Sequence, residues 1–365
     1  MIYLDNGATS FVKPPAVRAA VLSAMEHCAN PGRGGYPAAM AAAETVFRCR
    51  ESAAKLFGCQ PEQIAFTSNC THGLNIAIRS LVHPGDKVLI SGFEHNAVTR
   101  PLHALGAQIL VAGRKLFDWH DTLTAWEDAL RQRPKAAICT HVSNVFGYIL
   151  PIAEISALCK QNGVSLVVDA AQSAGSLPVR LNEWGADFIA MPGHKGLLGP
   201  QGTGLLLCGR EPEPLLFGGT GSNSREQSMP SFLPDRLEAG TLNVPGIAGL
   251  NAGIHYINRM GLSAIFRREH AQLELCAREL NNLGYRVFYG EHQAATVSFV
   301  PNEDCEIFAE KLGRRGVAVR AGLHCAPLAH ESAGTLESGT VRISFGYDAS
   351  AGKTREFLRI LSRLS

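Results

Sequence analysis

The sequence predicts an α/β protein: a large domain built on a mostly parallel sheet, with a smaller α+β domain after it. Three observations carry this. The chain has 365 residues and is 46% hydrophobic, too long for one small domain and with apolar material for a large core plus a second unit. Short apolar runs alternate with helix-period stretches through its middle. After about Gly246 the alternation gives way to long helical stretches and a few isolated strand-like runs.

Taken in order, the first dozen residues open on strand-like MIYLD, which is compatible with either domain. AFTSNCTHGLNIAI reads as a short strand turning into an apolar-periodic helix. DKVLISG, QILVAG, AAICTHVSN, SLVVDAAQS, DFIAMPG and GLLLCG follow. Runs this apolar belong to strands covered on both faces by crossover helices, so the sheet is mostly parallel and its C-terminal strand ends are where a ligand belongs. Ile247–Met260 and Ala264–Leu283 read as helices, and Arg286–Tyr289 and Ala295–Val300 as strands, before another helix and VAVRAG. The division expected is 14–262 for the large domain and 263–365, with 1–13, for the small one. No repeat, low-complexity tract or Pro/Ser-rich linker separates them, which points to a firm interface with the substrate cleft along it.

Thirty-four basic and 32 acidic side chains leave a formal charge of +2 without a like-charge run, so nothing steers a polyanion and nucleic acid is not an expected partner. No stretch approaches the roughly 18 apolar residues of a spanning helix, and the start lacks a basic segment followed by an apolar one. No membrane association is expected, and the location expected is cytoplasmic. Ten cysteines without a CxxC pair argue for reduced thiols, nine of them small core residues. No metal is expected.

The candidate chemistry sits at strand ends. LVVDAAQS is a buried strand closing on Asp169, with Gln172 three residues on. A carboxylate there needs a partner. A helix cap or buried ion pair would serve; so would a cationic heterocycle, because pyridoxal phosphate (PLP) draws electrons only while its ring nitrogen is protonated, and an aspartate holds that proton. DFIAM runs into PGHKGLLGPQGTG, where Lys195 follows His194 in a glycine-rich loop. An amine enclosed among strand ends has its pKa lowered, as Schiff-base formation requires. The loop lacks the GK[ST] ending of a P-loop and the strand-first layout of a dinucleotide site, so both nucleotide readings are rejected.

In TSNCTHGLN, the amide of Cys70 and the hydroxyl of Thr71 lie at a helix start, as ordinary caps or as phosphate ligands. His95 of EHNAV is placed to stack on a flat cofactor or to be a polar loop residue, and Asn144 of HVSNVFG can reach a phenolic oxygen. Each feature alone is weak; their joint placement at strand termini of one domain points to PLP.

YLDNGATS, NPGRGGY, TSNCTHGLN, EHNAV, HVSNVFG, VVDAAQS, GHKGLLGPQGTG, RLEAGTLNVPGIAGL, RAGLHCAPLAH and TVRISFGY occur in order along the chain. As a set they resemble the class V aminotransferase branch of the fold-type I PLP-dependent transferases, and within it the cysteine desulfurases and selenocysteine lyases. The resemblance implies a seven-stranded-type sheet, Lys195 as the Schiff-base lysine and Asp169 as the pyridinium partner. It implies Gln172 and Asn144 on the phenolic oxygen, His95 on the ring face, and Thr71 and His194 on the phosphate. Thr241 of EAGT would reach the other subunit's phosphate, so a homodimer is implied. Two departures bear on the phosphate cup: Pro192 stands where relatives often carry a serine, and His72 where an acidic residue is common. The C-terminal part is also shorter than in relatives.

RAGLHCAPLAH resembles the desulfurase signature RxGxHCA and makes Cys325 the candidate nucleophile, on a loop crossing the cleft from the small domain. A thiol near His324 and the cofactor cation is expected to be partly ionised. Without the signature, a tenth core thiol is the simpler reading. The implied reaction removes sulfur from L-cysteine, leaving L-alanine and a persulfide on Cys325 that a sulfur-acceptor protein or small thiol discharges. Arg342 of TVRISF would fork the substrate carboxylate, with Arg33 and Arg320 lining the same cleft or forming structural ion pairs. L-Selenocysteine is the alternative substrate; a transaminase-type reaction or a non-catalytic scaffold are the other readings.

Overall fold

The computed structural model describes residues 1–32 and 34–364. Its strands are β1 (Ile2–Tyr3), β2 (Ile64–Thr67), β3 (Lys87–Ser91), β4 (Gln108–Ala112), β5 (Ala136–Thr140), β6 (Ser165–Asp169), β7 (Phe188–Pro192), β8 (Gly204–Cys208), β9 (Arg286–Phe288), β10 (Thr296–Val300), β11 (Val317–Ala318), β12 (Arg320–Gly322) and β13 (Thr340–Ser344).

The large sheet has seven strands in the order β2-β8-β7-β6-β5-β3-β4. Neighbours from β4 to β7 are parallel, and β8 alone runs against β2 and β7. The C-terminal ends of β2, β3, β5, β6 and β7 therefore share one edge. Every residue of β5, β7 and β8 is buried, which only a sheet covered on both faces allows. The edge strand β4 is the exception, with exposed Gln108 and Ile109.

Crossover helices cover the faces for local reasons. Asn69 caps the helix Cys70–Leu81 by accepting the His72 N–H at 2.9 Å. The helix Pro37–Phe57 starts on a proline and ends where Gly58 takes a left-handed φ of 64°.

From Val244 on the chain makes helices Val244–Met260 and Leu262–Asn282, then an antiparallel four-stranded sheet in the order β12-β13-β10-β9. The strand-like start belongs with this part: β1 pairs with β11, and Leu4 packs with Leu273, Phe299, Val341 and Phe357 in one apolar cluster. No helix among the described residues is long and apolar enough to cross a membrane. None of the ten thiols is paired; seven are buried, Cys28 and Cys59 are only half-buried, and Cys325 is exposed.

Candidate active site

The shared edge of the large sheet opens into a cleft of about 110 Å³, lined by Asp169, Lys195, His95, Cys70, Thr71, Asn144, Gln172 and His194 among others. Residues scattered over 126 positions of sequence thus converge because parallel strands deliver their C-terminal loops to one side.

Asp169 ends β6 at 3% exposure. Its Oδ1 accepts the Ala171 N–H at 2.9 Å and the Cys70 thiol at 3.4 Å. No helix begins there, so the first contact closes a local turn rather than capping a helix. Oδ2 has no protein donor among the described residues, so one face of a buried carboxylate remains to meet a cation in the cleft. Lys195 follows β7, half-buried, with no partner for Nζ among the described residues. Its pKa is lowered mainly by enclosure; Asp169 opposes the shift and Arg342 adds to it.

The Lys195 loop is strapped by the N-terminal segment. The His194 carbonyl accepts from Thr9 Oγ1 (3.2 Å), Ser10 N (3.1 Å), Ser10 Oγ (3.0 Å) and Lys13 Nζ (2.8 Å). Sequence reasoning missed these residues: they lie more than 180 positions from their partner, and no local pattern signals such a contact. His194 itself is neutral, its pKa brought down to about 4 chiefly by burial, and its Nδ1 sits 3.1 Å from Thr9 Oγ1.

His95 caps the helix Asn96–Ala104, with Nδ1 accepting the Ala97 N–H at 3.0 Å. The ring proton is therefore on Nε2. Burial lowers the pKa of this imidazole, so a flat neutral ring borders the cleft. Gln172 spends one amide hydrogen on the Gly7 carbonyl at 3.0 Å. Cys70 and Thr71 begin the helix Cys70–Leu81, whose N-terminus faces the cleft with its free N–H groups; Thr71 is exposed. Thr241 does not join this group and borders another cavity, with Arg50 and Glu238.

Cys325 sits in a short turn between β12 and the helix Pro327–Ala333. The turn is docked onto the loops of the large sheet: Asn96 N donates to the Cys325 carbonyl at 2.8 Å, and Asn144 Nδ2 donates to the His324 carbonyl at 2.8 Å. His324 and Cys325 both hold left-handed φ values, 51° and 56°, which non-glycine residues adopt only when their surroundings impose them. The thiol stays exposed.

The expected role of His324 beside that thiol is corrected. Its ring is buried, with Nε2 3.1 Å from both the carbonyl and the hydroxyl of Thr340. Burial, with Arg342 nearby, brings its pKa down to about 2. It carries no positive charge near neutral pH.

Arg342 of β13 is 2% exposed. Nη2 contacts Asp5 Oδ1 at 2.6 Å and Nη1 donates to the Asn144 carbonyl at 3.0 Å, while Nε has no partner among the described residues. The guanidinium is thus held in a fixed plane beside the cleft but shared with Asp5, a partner that the sequence did not announce. Arg320 is exposed on β12, opposite Arg342 in the ladder, with no carboxylate partner among the described residues. Arg33 lies outside the described residues.

With this geometry in view, the comparisons with known proteins agree. A probable cysteine desulfurase of Methanothermobacter thermautotrophicus is 34% identical over 361 residues, covering 95% of this chain and 90% of the relative. One from Pyrococcus abyssi is 32% identical, covering all of this chain and 94% of the relative. The apo structure of a cysteine desulfurase from Thermococcus onnurineus NA1 superposes with a TM-score of 0.89 at 32% identity, covering 100% of this chain and 94% of that one. The family model for class V aminotransferases matches residues 2–354, and the chain belongs to that family.

Proposed function

We propose that this chain is a PLP-dependent cysteine desulfurase that converts L-cysteine to L-alanine and leaves the sulfur as a persulfide on Cys325. The observation that carries it is the exposed Cys325 thiol, on a turn hydrogen-bonded directly to the loops that form the Asp169–Lys195 cleft. A scaffold has no need of an exposed nucleophile held in strained backbone there, and a transaminase has no use for it.

The cleft residues fit PLP. Asp169 has an open carboxylate face for a ring N–H, the helix start at Cys70 and Thr71 suits a phosphate, and neutral His95 suits a ring face. Lys195 would carry the cofactor, with Gln172, Asn144 and His194 as further contacts. When bound, PLP supplies an electron sink conjugated to the substrate Cα. Lys195, its basicity reduced by enclosure, accepts the Cα proton. Arg342 would take the substrate carboxylate while still sharing its guanidinium with Asp5 and the Asn144 carbonyl, with Arg320 adding positive charge at the mouth. Cys325 Sγ attacks the substrate sulfur: a new S–S bond forms, the Cβ–Sγ bond breaks, and its electron pair stays on Cβ, which takes a proton to become the alanine methyl group, while Lys195 returns the proton to Cα. A sulfur-acceptor protein or small thiol then discharges the persulfide. Thr241, away from this cleft, would serve the partner's site in a homodimer. Residues 14–262 would form the cofactor domain, and 263–365 with 1–13 the domain presenting Cys325.

The test incubates purified protein with L-cysteine, and separately with L-selenocysteine and a reductant, and quantifies alanine for wild type, Lys195→Ala and Cys325→Ala. Alanine from cysteine in wild type alone supports the reading. Full activity of Cys325→Ala on cysteine sinks the persulfide step. Alanine from selenocysteine only would make the enzyme a selenocysteine lyase.

A further inference from the structure

A second cavity, of about 50 Å³, lies behind the cleft and shares Lys195, Gln172 and Val142 with it. The N-terminal segment, the loops after β6 and β7, the helix Leu262–Asn282 and the ends of β10 and β13 converge on it. Its wall carries two ionisable acid–base groups of opposite sign, Lys195 and Glu269. Glu269 is 6% exposed, and no described residue donates a hydrogen bond or an ion pair to its carboxylate. A carboxylate this deep is costly to leave ionised without a counter-charge.

The neighbouring charges do not provide one. Lys195 is coupled to Asp169 rather than to Glu269. Asp348 faces Glu269 with the same sign and is itself held by Lys353 at 2.7 Å. Arg268 Nη1 goes to the Tyr347 carbonyl at 3.2 Å, and the Tyr347 hydroxyl is neutral, its pKa pushed up to about 12 by burial. Burial and Asp348 push the Glu269 carboxyl up to about 8, as for an acid lacking a cation. Neutral oxygens line the same cavity: Asn6 spends Nδ2 on the Ser344 carbonyl at 3.1 Å, which leaves Oδ1 as an acceptor, and Ser176 adds a hydroxyl oxygen, its proton given to the Ser173 carbonyl.

We propose that Glu269 and these oxygens bind one monovalent inorganic cation of the potassium, sodium or ammonium class. A single negative charge among neutral oxygens balances a single positive one. Divalent ions want several carboxylates or imidazoles, and no group of three such side chains exists among the described residues. The volume exceeds the roughly 10–15 Å³ that one water-sized sphere occupies, so an ion with its remaining waters fits. Such an ion would tie the loop beneath Lys195 to the helix Leu262–Asn282. The site does not depend on the sulfur chemistry proposed above.

The test uses the full chain with PLP bound. Melting temperature is followed as potassium chloride replaces tetramethylammonium chloride at constant ionic strength, for wild type and Glu269→Gln. Crystals grown with thallous acetate are measured for anomalous scattering. We expect a saturable rise of about 2–4 °C in wild type only, and a thallium peak beside Glu269. If Glu269→Gln does not fold, the wild-type series and the thallium peak decide together. Equal melting in both salts with no peak overturns the site and leaves Glu269 a protonated acid.

Discussion

Replacing Asp5 by Asn isolates the charge that Arg342 depends on. The side chains of Arg342 and Asp5 are 3% and 19% exposed, with 2.6 Å between Nη2 and Oδ1, so the pair is largely removed from water. Two unit charges about 4 Å apart at an effective dielectric constant near 20 attract by roughly 4 kcal/mol. Asparagine keeps an acceptor oxygen and hence about 1 kcal/mol of hydrogen bond. The net loss is about 3–4 kcal/mol, in line with breaking a buried pair and leaving one charge behind. With an unfolding entropy of roughly 2.1 cal/mol/K per residue over this length, that loss lowers Tm by about 4–5 °C. Scanning calorimetry of wild type and Asp5→Asn at pH 7 measures it. A shift below about 1 °C, or a rise, would refute the idea that Asp5 is what neutralises the buried guanidinium.

Other expectations follow from the same contacts. Gly175 holds φ of 99°, and a Cβ there would collide with the Gly196 carbonyl next to Lys195; Gly175→Ala is expected to cut desulfuration on the order of 100-fold and shift the visible cofactor band, and an unchanged spectrum with full rate would discount it. Glu94 is fully buried, accepting from Ser91 Oγ at 2.5 Å and Thr140 N at 2.8 Å, and burial pushes its carboxyl up to about 8. Between the unfolded value, near 4.3, and 8, the native state keeps a proton that the unfolded chain has lost, so stability falls with rising pH by about 1.4 kcal/mol per unit and levels off above 8. Glu94→Gln removes that slope; parallel urea-melting curves for the two proteins from pH 5 to 9 would contradict it. For His324, whose pKa lies near 2, ring chemical shifts measured by NMR should stay those of a neutral imidazole from pH 8 to 5, and a titration near 6.5 would show that the ring is not pinned on Thr340.

Local pattern alone gives the mostly parallel sheet through the middle of the chain and the strand-end placement of Asp169, Lys195, His95 and Asn144, but not the helices Pro15–His27 and Pro37–Phe57 or the reversed sense of β8. The sheet and those strand ends are local: apolar runs need two covered faces, and a polar residue ending such a run must face the open edge. The short loop around Cys325 was also legible as a motif. What only the tertiary structure decided are pairings between distant segments. Asp5 on Arg342, Thr9, Ser10 and Lys13 on the His194 carbonyl, and Asn96 and Asn144 on the Cys325 turn are set by how the N-terminal segment and the four-stranded sheet dock on the large one. The same docking turned His324 inward onto Thr340, so the imidazole next to Cys325 in sequence is held by a different segment. Sequence neighbours share a backbone, but burial and hydrogen-bond partners follow from packing, and packing sets which groups are charged.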